Sequence, residues 1–291
     1  MEKLVGIVGE RGLVSRMVQD RLSMDPDIIF QVYSTEAIVN ASDKEFRDIN
    51  RSDIIILCTQ DFKSENVMAV LEKSTSKIID TSPSYRCDRS WVYGMPAIYG
   101  DHNIAFASRV ANPGCFASAA ILLIAPMRAH SVLWGNDTLY LDAVGGYTTG
   151  GAKMISQFHN GTLAPECEYG FVTEHRHVAE IKRHADLKGN VCFTPKIGSF
   201  DRGIRMQTII PNSNRINLLR MYTTAYKDTD IQVDLEQPSK LTANEWAYKS
   251  GAIIRVYQQG PDCLVVCSMD NMGFGSVDSI INNVRLMLGV K

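Results

Sequence analysis

Apolar and polar positions follow two different rhythms along the chain. KLVGIVG (3–9) is a short apolar strand that breaks into GERGLVS, after which VSRMVQDRL (14–22) carries apolar residues at helical spacing up to Pro26. Further short apolar strands are predicted at IIFQVYS (28–34), DIIILCT (53–59) and SKIIDTS (76–82), with helical stretches between them such as SENVMAVLEKS (64–74). Such alternation predicts a parallel sheet covered by helices on both faces, with ligands gathering beyond the carboxyl ends of the strands. Near residue 135 the rhythm changes. TLYLDAVGGYT, NVCFTPKIG, GIRMQTIIP, INLLRMYTTAY and AIIRVYQQ all read as longer strands, with few helices between them, which predicts a mixed or antiparallel sheet. The fold class expected is therefore α/β: a nucleotide-binding domain over 1–115, then an α+β domain over 116–275. The closing amphipathic helix, SVDSIINNVRLMLG, has no partner in the second domain, so residues 276–291 are expected to return to the first.

Composition narrows the partners. Of the 291 residues 45% are apolar, enough for a sizeable core in each domain, and 30 basic against 32 acidic side chains leave a net charge of −2. That balance offers no broad basic face for nucleic acid or an anionic membrane, so the expected partner is a small molecule bound locally. The longest largely apolar run, 117–127, falls far short of the roughly 20 residues of a membrane span. Seven cysteines, odd in number, scattered and without a CxxC pair, fit reduced thiols in a cytoplasmic protein better than a disulfide frame or a zinc site.

Three stretches carry candidate chemistry. In GERGLVS, Gly9, Arg11, Gly12, Leu13 and Val14 stand where a strand turns into a helix, so backbone N–H groups and the helix dipole would face a pyrophosphate; Ser15 replaces the third glycine of the dinucleotide fingerprint. The second strand ends at Ser34 and Thr35 and not at an acidic residue, which favours NADP over NAD. In VANPGCF (110–116), Pro113 and Gly114 stop any helix from upstream, so a helix is expected to begin about Cys115, where the positive end of its dipole favours a thiolate nucleophile. EHRHVAEI (174–181) supplies His175, His177 and Glu180; on a helix His177 and Glu180 share a face, suiting an imidazole acid/base oriented by a carboxylate. Its spacing matches no zinc pattern, and no metal site is expected. Arg86, after the fourth strand, and Arg202 are candidate anion binders. The hydroxyl-rich stretch Gly145–Gly151 reads as a flexible loop suited to closing over a ligand.

Together GERG, IDTSPSYR, NPGCF, GYTTGGA, EHRHVAEI, FTPKIGSFDRG and DNMGFGSV, in this order along residues 5–289, resemble the N-acetyl-gamma-glutamyl-phosphate reductases, closer to their shorter second subtype. These enzymes are similar in fold to aspartate-semialdehyde dehydrogenase. The resemblance implies a Rossmann-type domain, an α+β catalytic and dimerisation domain, a homodimer or homotetramer, and NADPH-dependent reduction of an acyl phosphate in arginine biosynthesis. Carried over by position, Cys115 would form a thioester and His177, or His175, would be the acid/base with Glu180 behind it. Arg86, Asn112 and Arg202 would bind substrate, and Asn271 and Gly273 would meet the nicotinamide end of NADP. Ala117, Ser118, Ala179 and Ser15 depart from the family pattern. They remove no catalytic group but leave open a specificity drifted toward another N-blocked or carrier-linked acyl phosphate; the alternatives are the same chemistry on an aspartyl or aminoadipyl phosphate, or a non-catalytic NADP-binding sensor.

Overall fold

A computed structural model describes residues 2–59, 61–133, 138–169 and 175–290, apart from the side chains of Asp61 and Phe62. The chain divides into two compact units, Met1–Pro113 with Ser276–Lys291, and Gly114–Gly275.

In the first unit six strands, β1 (Lys3–Val8), β2 (Ile28–Tyr33), β3 (Ile54–Leu57), β4 (Lys77–Asp80), β5 (Val92–Tyr93) and β6 (Arg109–Ala111), form a parallel sheet in the order β2-β1-β3-β4-β6-β5. The helices are α1 (Leu13–Leu22), α2 (Thr35–Val39), α3 (Asp43–Ile49), α4 (Asp61–Leu71), α5 (Pro96–Tyr99) and α6 (Asp101–Ala105). Successive strand residues point to opposite faces, and both faces are buried. Val5, Ile7, Ile54, Ile56 and Ile79 pack with Val18, Leu22 and Ile104 on one side. Val8, Ile55, Leu57 and Ile78 pack with Ile38, Ile49, Val67 and Leu71 on the other. The last helix of the chain, Asp278–Leu288, completes the first of these layers with Ile280, Val284 and Met287. Polar ties hold it there. Asn283 donates to the Gly94 carbonyl and the Asn112 side chain, and Lys77 Nζ donates to the Met287 carbonyl.

The second unit is a mixed seven-stranded sheet. Its strands are β7 (Leu139–Gly146), β8 (Glu166–Glu168), β9 (Val191–Gly198), β10 (Ile204–Ile210), β11 (Ile231–Asp234), β12 (Ala252–Gln259) and β13 (Asp262–Met269), in the order β11-β12-β13-β10-β7-β9-β8. Helices α7 (Cys115–Ala129), α8 (Gly151–His159), α9 (Arg176–His184) and α10 (Arg215–Ala225) accompany it, which makes the closing helix α11. Strand β7 alternates buried Leu139, Leu141 and Ala143 with outward Tyr140, Asp142 and Val144, so one sheet face packs and the other carries exposed Tyr140 and Ile209.

Two expectations need correction. INLLRMYTTAY is not a strand but most of α10. Asn214 caps it by accepting from the N–H groups of Ile216 and Asn217, and buried Leu218, Leu219, Met221 and Tyr222 form its inner face. Tyr222 and Tyr226, four apart, donate to the Leu123 and Leu122 carbonyls of α7, at 2.7 and 2.6 Å. Tertiary burial thus overrides the strand preference of the Thr and Tyr residues. The Gly145–Gly151 stretch is not an open loop either: Tyr147–Gly150 form a 3-10 turn leading into α8. Its hydroxyls are engaged, Thr148 donating to the Asp201 carbonyl and Thr149 to that of Gly146. No helix among the described residues is long and apolar enough to cross a membrane.

Candidate active site

In the first unit the strand-to-helix turn after β1 borders a cleft of about 290 Å³ lined by Gly9, Glu10, Arg11, Gly12, Thr35, Glu36, Cys58, Thr59 and Lys63. Gly9 has φ +106°, and a Cβ there would stand 2.5 Å from the Cys58 carbonyl oxygen, so the turn requires glycine. Gly12 caps α1 without any side-chain hydrogen bond, and Leu13 and Val14 are its first helical residues; their N–H groups suit a phosphate ligand. Ser15, where the fingerprint has glycine, is fully buried and accepts from Gln19. Ser34 accepts from the Ala37 N–H as the cap of α2, which leaves its own hydroxyl proton to give. The side chains near it are arranged as ion pairs, Arg11 with Glu10 at 3.2 Å and Lys63 with Glu36 at 3.7 Å. Backbone donors, two cations and a hydroxyl make a donor set that fits NADP. Glu36 lines the cleft as well, an acid that stands just beyond the two hydroxyl residues closing the second strand and so escapes a pattern that looks only at the strand's end.

The second unit begins with the cysteine. Gly114 caps α7 in an extended conformation, and Cys115 is the helix's first residue, partly buried. The Gly114 N–H donates to Glu180 Oε1 at 2.8 Å, so the carboxylate expected to orient an imidazole also ties down the turn that carries the thiol. A Cβ at Gly275 would stand 2.9 Å from Cys115 Cβ, which keeps that position free of a side chain. His175 caps α9, its Nδ1 accepting from the His177 N–H at 3.2 Å. The proton of its neutral ring therefore sits on Nε2. Burial and the neighbouring Arg176 push His175 down to about 4, against an opposing pull from Glu180. His177 and Glu180 are buried on α9. The two imidazole centroids lie 4.8 Å apart, and the buried rings of Phe116 and Phe193 pack around them. Glu174, the first residue of the motif, lies outside the described residues. Tyr169, which no sequence signal singled out, lies 5.6 Å from the His175 ring. Burial raises its pKa, and the charge on Cys115 raises it further.

The arginines are less open than expected. Arg86 is buried, with Nε donating to the Asn112 carbonyl and Nη2 to that of Thr81, both at 2.9 Å. It thereby braces the strand ends of the first unit next to Asn112. Arg202 is paired with Asp270 through both Nε and Nη2, at 3.1 and 2.8 Å. Asn271 accepts from the Gly203 N–H and donates to Thr148, so its amide joins two loops of the second unit. Gly273 opens a π-helical turn over Gly273–Val277. No group of three or more metal-ligating side chains occurs among the described residues.

Residues 4–105 match the family described as semialdehyde dehydrogenase, NAD binding domain, and residues 115–271 match its dimerisation domain. The chain is 31% identical to the N-acetyl-gamma-glutamyl-phosphate reductase of Brucella anthropi, over 99% of each chain. It is 30% identical to the Brucella canis protein of the same name, over 99% of this chain and 100% of that one. Among solved structures it is similar to aspartate semialdehyde dehydrogenase II from Vibrio cholerae, with TM-score 0.75, 12% identity and 99% of each chain covered. Aspartate semialdehyde dehydrogenase with NADP from Candida albicans gives TM-score 0.73 at 11% identity, again over 99% of each. These two likenesses show a shared fold.

Proposed function

Since this chain belongs to the semialdehyde dehydrogenase family, we propose that it reduces N-acetyl-gamma-glutamyl phosphate with NADPH, releasing N-acetylglutamate semialdehyde and phosphate, as a step of arginine biosynthesis. The names of its relatives supply the substrate. The observation that carries the chemistry is Cys115 as first residue of α7, on a turn held by Glu180 of α9, the helix that His175 caps and that carries His177.

In this reading the Cys115 thiolate attacks the acyl carbon, the carbon–oxygen bond to phosphate breaks, and phosphate leaves with the bonding electrons, giving a thioester. Backbone N–H groups at the start of α7 receive the oxyanion that develops during attack. Gly9, Arg11, Gly12, Leu13, Val14 and Ser34 would hold NADPH in the first unit, and the bound cofactor would supply a hydride to the thioester carbon. Reduction of the thioester carbon leaves a hemithioacetal oxyanion, which collapses to the aldehyde as the C–S bond breaks; the imidazole that took the Cys115 thiol's proton before attack returns it to the departing sulfur. His177 suits that role better than His175, because His175 is held neutral with Nδ1 engaged, and so serves as a fixed Nε2–H donor. Arg86, Asn112 and Arg202 bind the substrate's anionic groups. Asn271 and Gly273 shape the nicotinamide end through the loops they hold.

The same reading takes the enzyme as a homodimer formed across the outward face of the second sheet. The dimerisation-domain match and the exposed Tyr140 and Ile209 of that face support it. It works in the cytoplasm, where reducing conditions keep a nucleophilic thiol available. Incubation with N-acetylglutamate semialdehyde, phosphate and NADP should yield the absorbance of reduced cofactor. Absence of that signal with this and related semialdehydes would sink the proposal.

A further inference from the structure

Among the described residues four that are not glycine have left-handed backbones: Ser131, Asp186, Asn212 and Tyr248. Small polar residues tolerate that region, whereas a bulky aromatic at φ +62° is strained. Burial does not explain Tyr248, whose side chain is two-thirds exposed. What the conformation achieves is a set of contacts with Arg202. The ring stacks over the guanidinium, 4.5 Å from its carbon to the ring centroid. The Tyr248 N–H donates to Asp270 Oδ2 at 2.7 Å, and the phenol donates to the Asp201 carboxylate.

Asp270 is the other half of this arrangement. Its side chain is 1% exposed, and besides the Tyr248 N–H it accepts from Arg202 Nε and Nη2 and from the Met272 N–H. Arg202 is thus fixed along one edge by a buried carboxylate and across one face by an aromatic ring, while the Gly203 N–H beside it is held by Asn271. Its Nη1 makes no hydrogen bond among the described residues. A guanidinium so fixed has lost its rotamer freedom before any ligand arrives.

We infer that Tyr248 and Asp270 are positioning residues that present Nη1 of Arg202 to an oxyanion of the substrate, and that the strained backbone at Tyr248 is retained for this purpose. The inference rests on the reductase reading for the identity of the anion, which is either the phosphoryl group or the α-carboxylate.

Tyr248→Gly tests it, because glycine relieves the backbone and removes the ring together. In the reverse reaction, with phosphate, N-acetylglutamate semialdehyde and NADP, this variant should raise KM for one anionic substrate by about fivefold, with a smaller change in kcat. A rise for phosphate marks the phosphoryl group, and a rise for the semialdehyde marks the carboxylate. Its Tm should equal or exceed that of the parent. Tyr248→Phe, which keeps the ring, should show a smaller rise. Unchanged KM for both substrates, or a lowered Tm with no change in KM, would overturn the inference and leave only a structural clamp. Thermal shift with inorganic phosphate and with N-acetylglutamate gives a reading independent of turnover: one of them should raise Tm of the parent, and less so of Tyr248→Gly. If the parent shows no turnover the reductase reading fails. The positioning inference then stands on that shift and falls if neither anion produces one.

Discussion

Asp80 in the first unit and His175 in the second are both buried, and the two respond to burial in opposite directions. In the first, Asp80 at the end of β4 is fully buried, and burial pushes it up to about 6 although Ser64, Ser82 and Arg86 pull it down. In the second, His175 is pushed down to about 4 by burial and by Arg176. Loss of solvation penalises charge in both cases, and so raises an acid and lowers a base. The surroundings differ accordingly. The candidate groups of the first unit are backbone turns and paired surface charges, whereas those of the second are side chains pinned by named partners: Glu180 on Gly114, His175 on His177, Asp270 on Arg202. Losing one reactive group should therefore be severe in the second unit and mild in the first.

The largest expected effect is that of Cys115→Ala, which should lower turnover by roughly 10⁴-fold or more while NADPH affinity stays within about twofold. Fluorescence titration of NADPH alongside steady-state kinetics checks both halves. A matching loss of cofactor affinity would break the division between the units. Next, His177→Ala should reduce kcat by about 10²-fold or more, and His175→Ala by less, since the proposed mechanism gives the acid/base role to His177 and His175 is held as the cap of α9. The opposite ranking would reassign the acid/base.

Acid should separate the units. His175 has a folded pKa below its ordinary 6.5, so the unfolded chain takes up its proton first and stability is lost as pH falls from about 6.5 to 4. Asp80 has a folded pKa above its ordinary 3.8, so the folded chain takes up its proton first and stability is gained as pH falls from about 6 to 3.8. Each amounts to about 3 kcal/mol at most, since a tenfold change in proton affinity is worth roughly 1.4 kcal/mol. Hydrogen exchange across this range should show protection falling in the second unit relative to the first. Asp80→Asn should steepen the acid loss of global stability, and His175→Gln should flatten it. Parallel pH profiles for both variants would contradict the assignment.

The smallest effect concerns the exposed pair in the cofactor cleft. Glu36→Gln should shift the ratio of NADPH to NADH affinity towards NADPH by about threefold, and Lys63→Gln should shift it the other way, as expected for solvent-screened charges. Nicotinamide fluorescence with each cofactor measures the ratio. No shift in either variant would place the 2′-phosphate elsewhere.

The first unit was easy to read because parallel strands buried on both faces, such as IIIL of β3, leave unbroken apolar runs between helical repeats. Strand β7 was legible for another reason, its period-two alternation. The helix α10 was not: its inner face is made of Leu, Met and Tyr, and its fit depends on carbonyls of α7 nearly a hundred residues away. Cys115 and the two histidines stood out through their local company of Pro, Gly and Glu. Tyr169, Asp270 and Tyr248 did not, because what distinguishes them is a neighbour distant in sequence or a backbone angle.

The return of α11 to the first sheet has a consequence for synthesis. The layer containing Val5, Ile7, Ile54 and Ile56 is missing Ile280, Val284 and Met287 until α11 has been made. Gly114–Gly275, by contrast, is a continuous stretch that is complete while α11 is still inside the ribosome. The part of the protein made first is therefore the last to close. A chain cut before α11 would keep its cysteine and histidines and leave an open apolar face on the unit that matches the NAD binding domain.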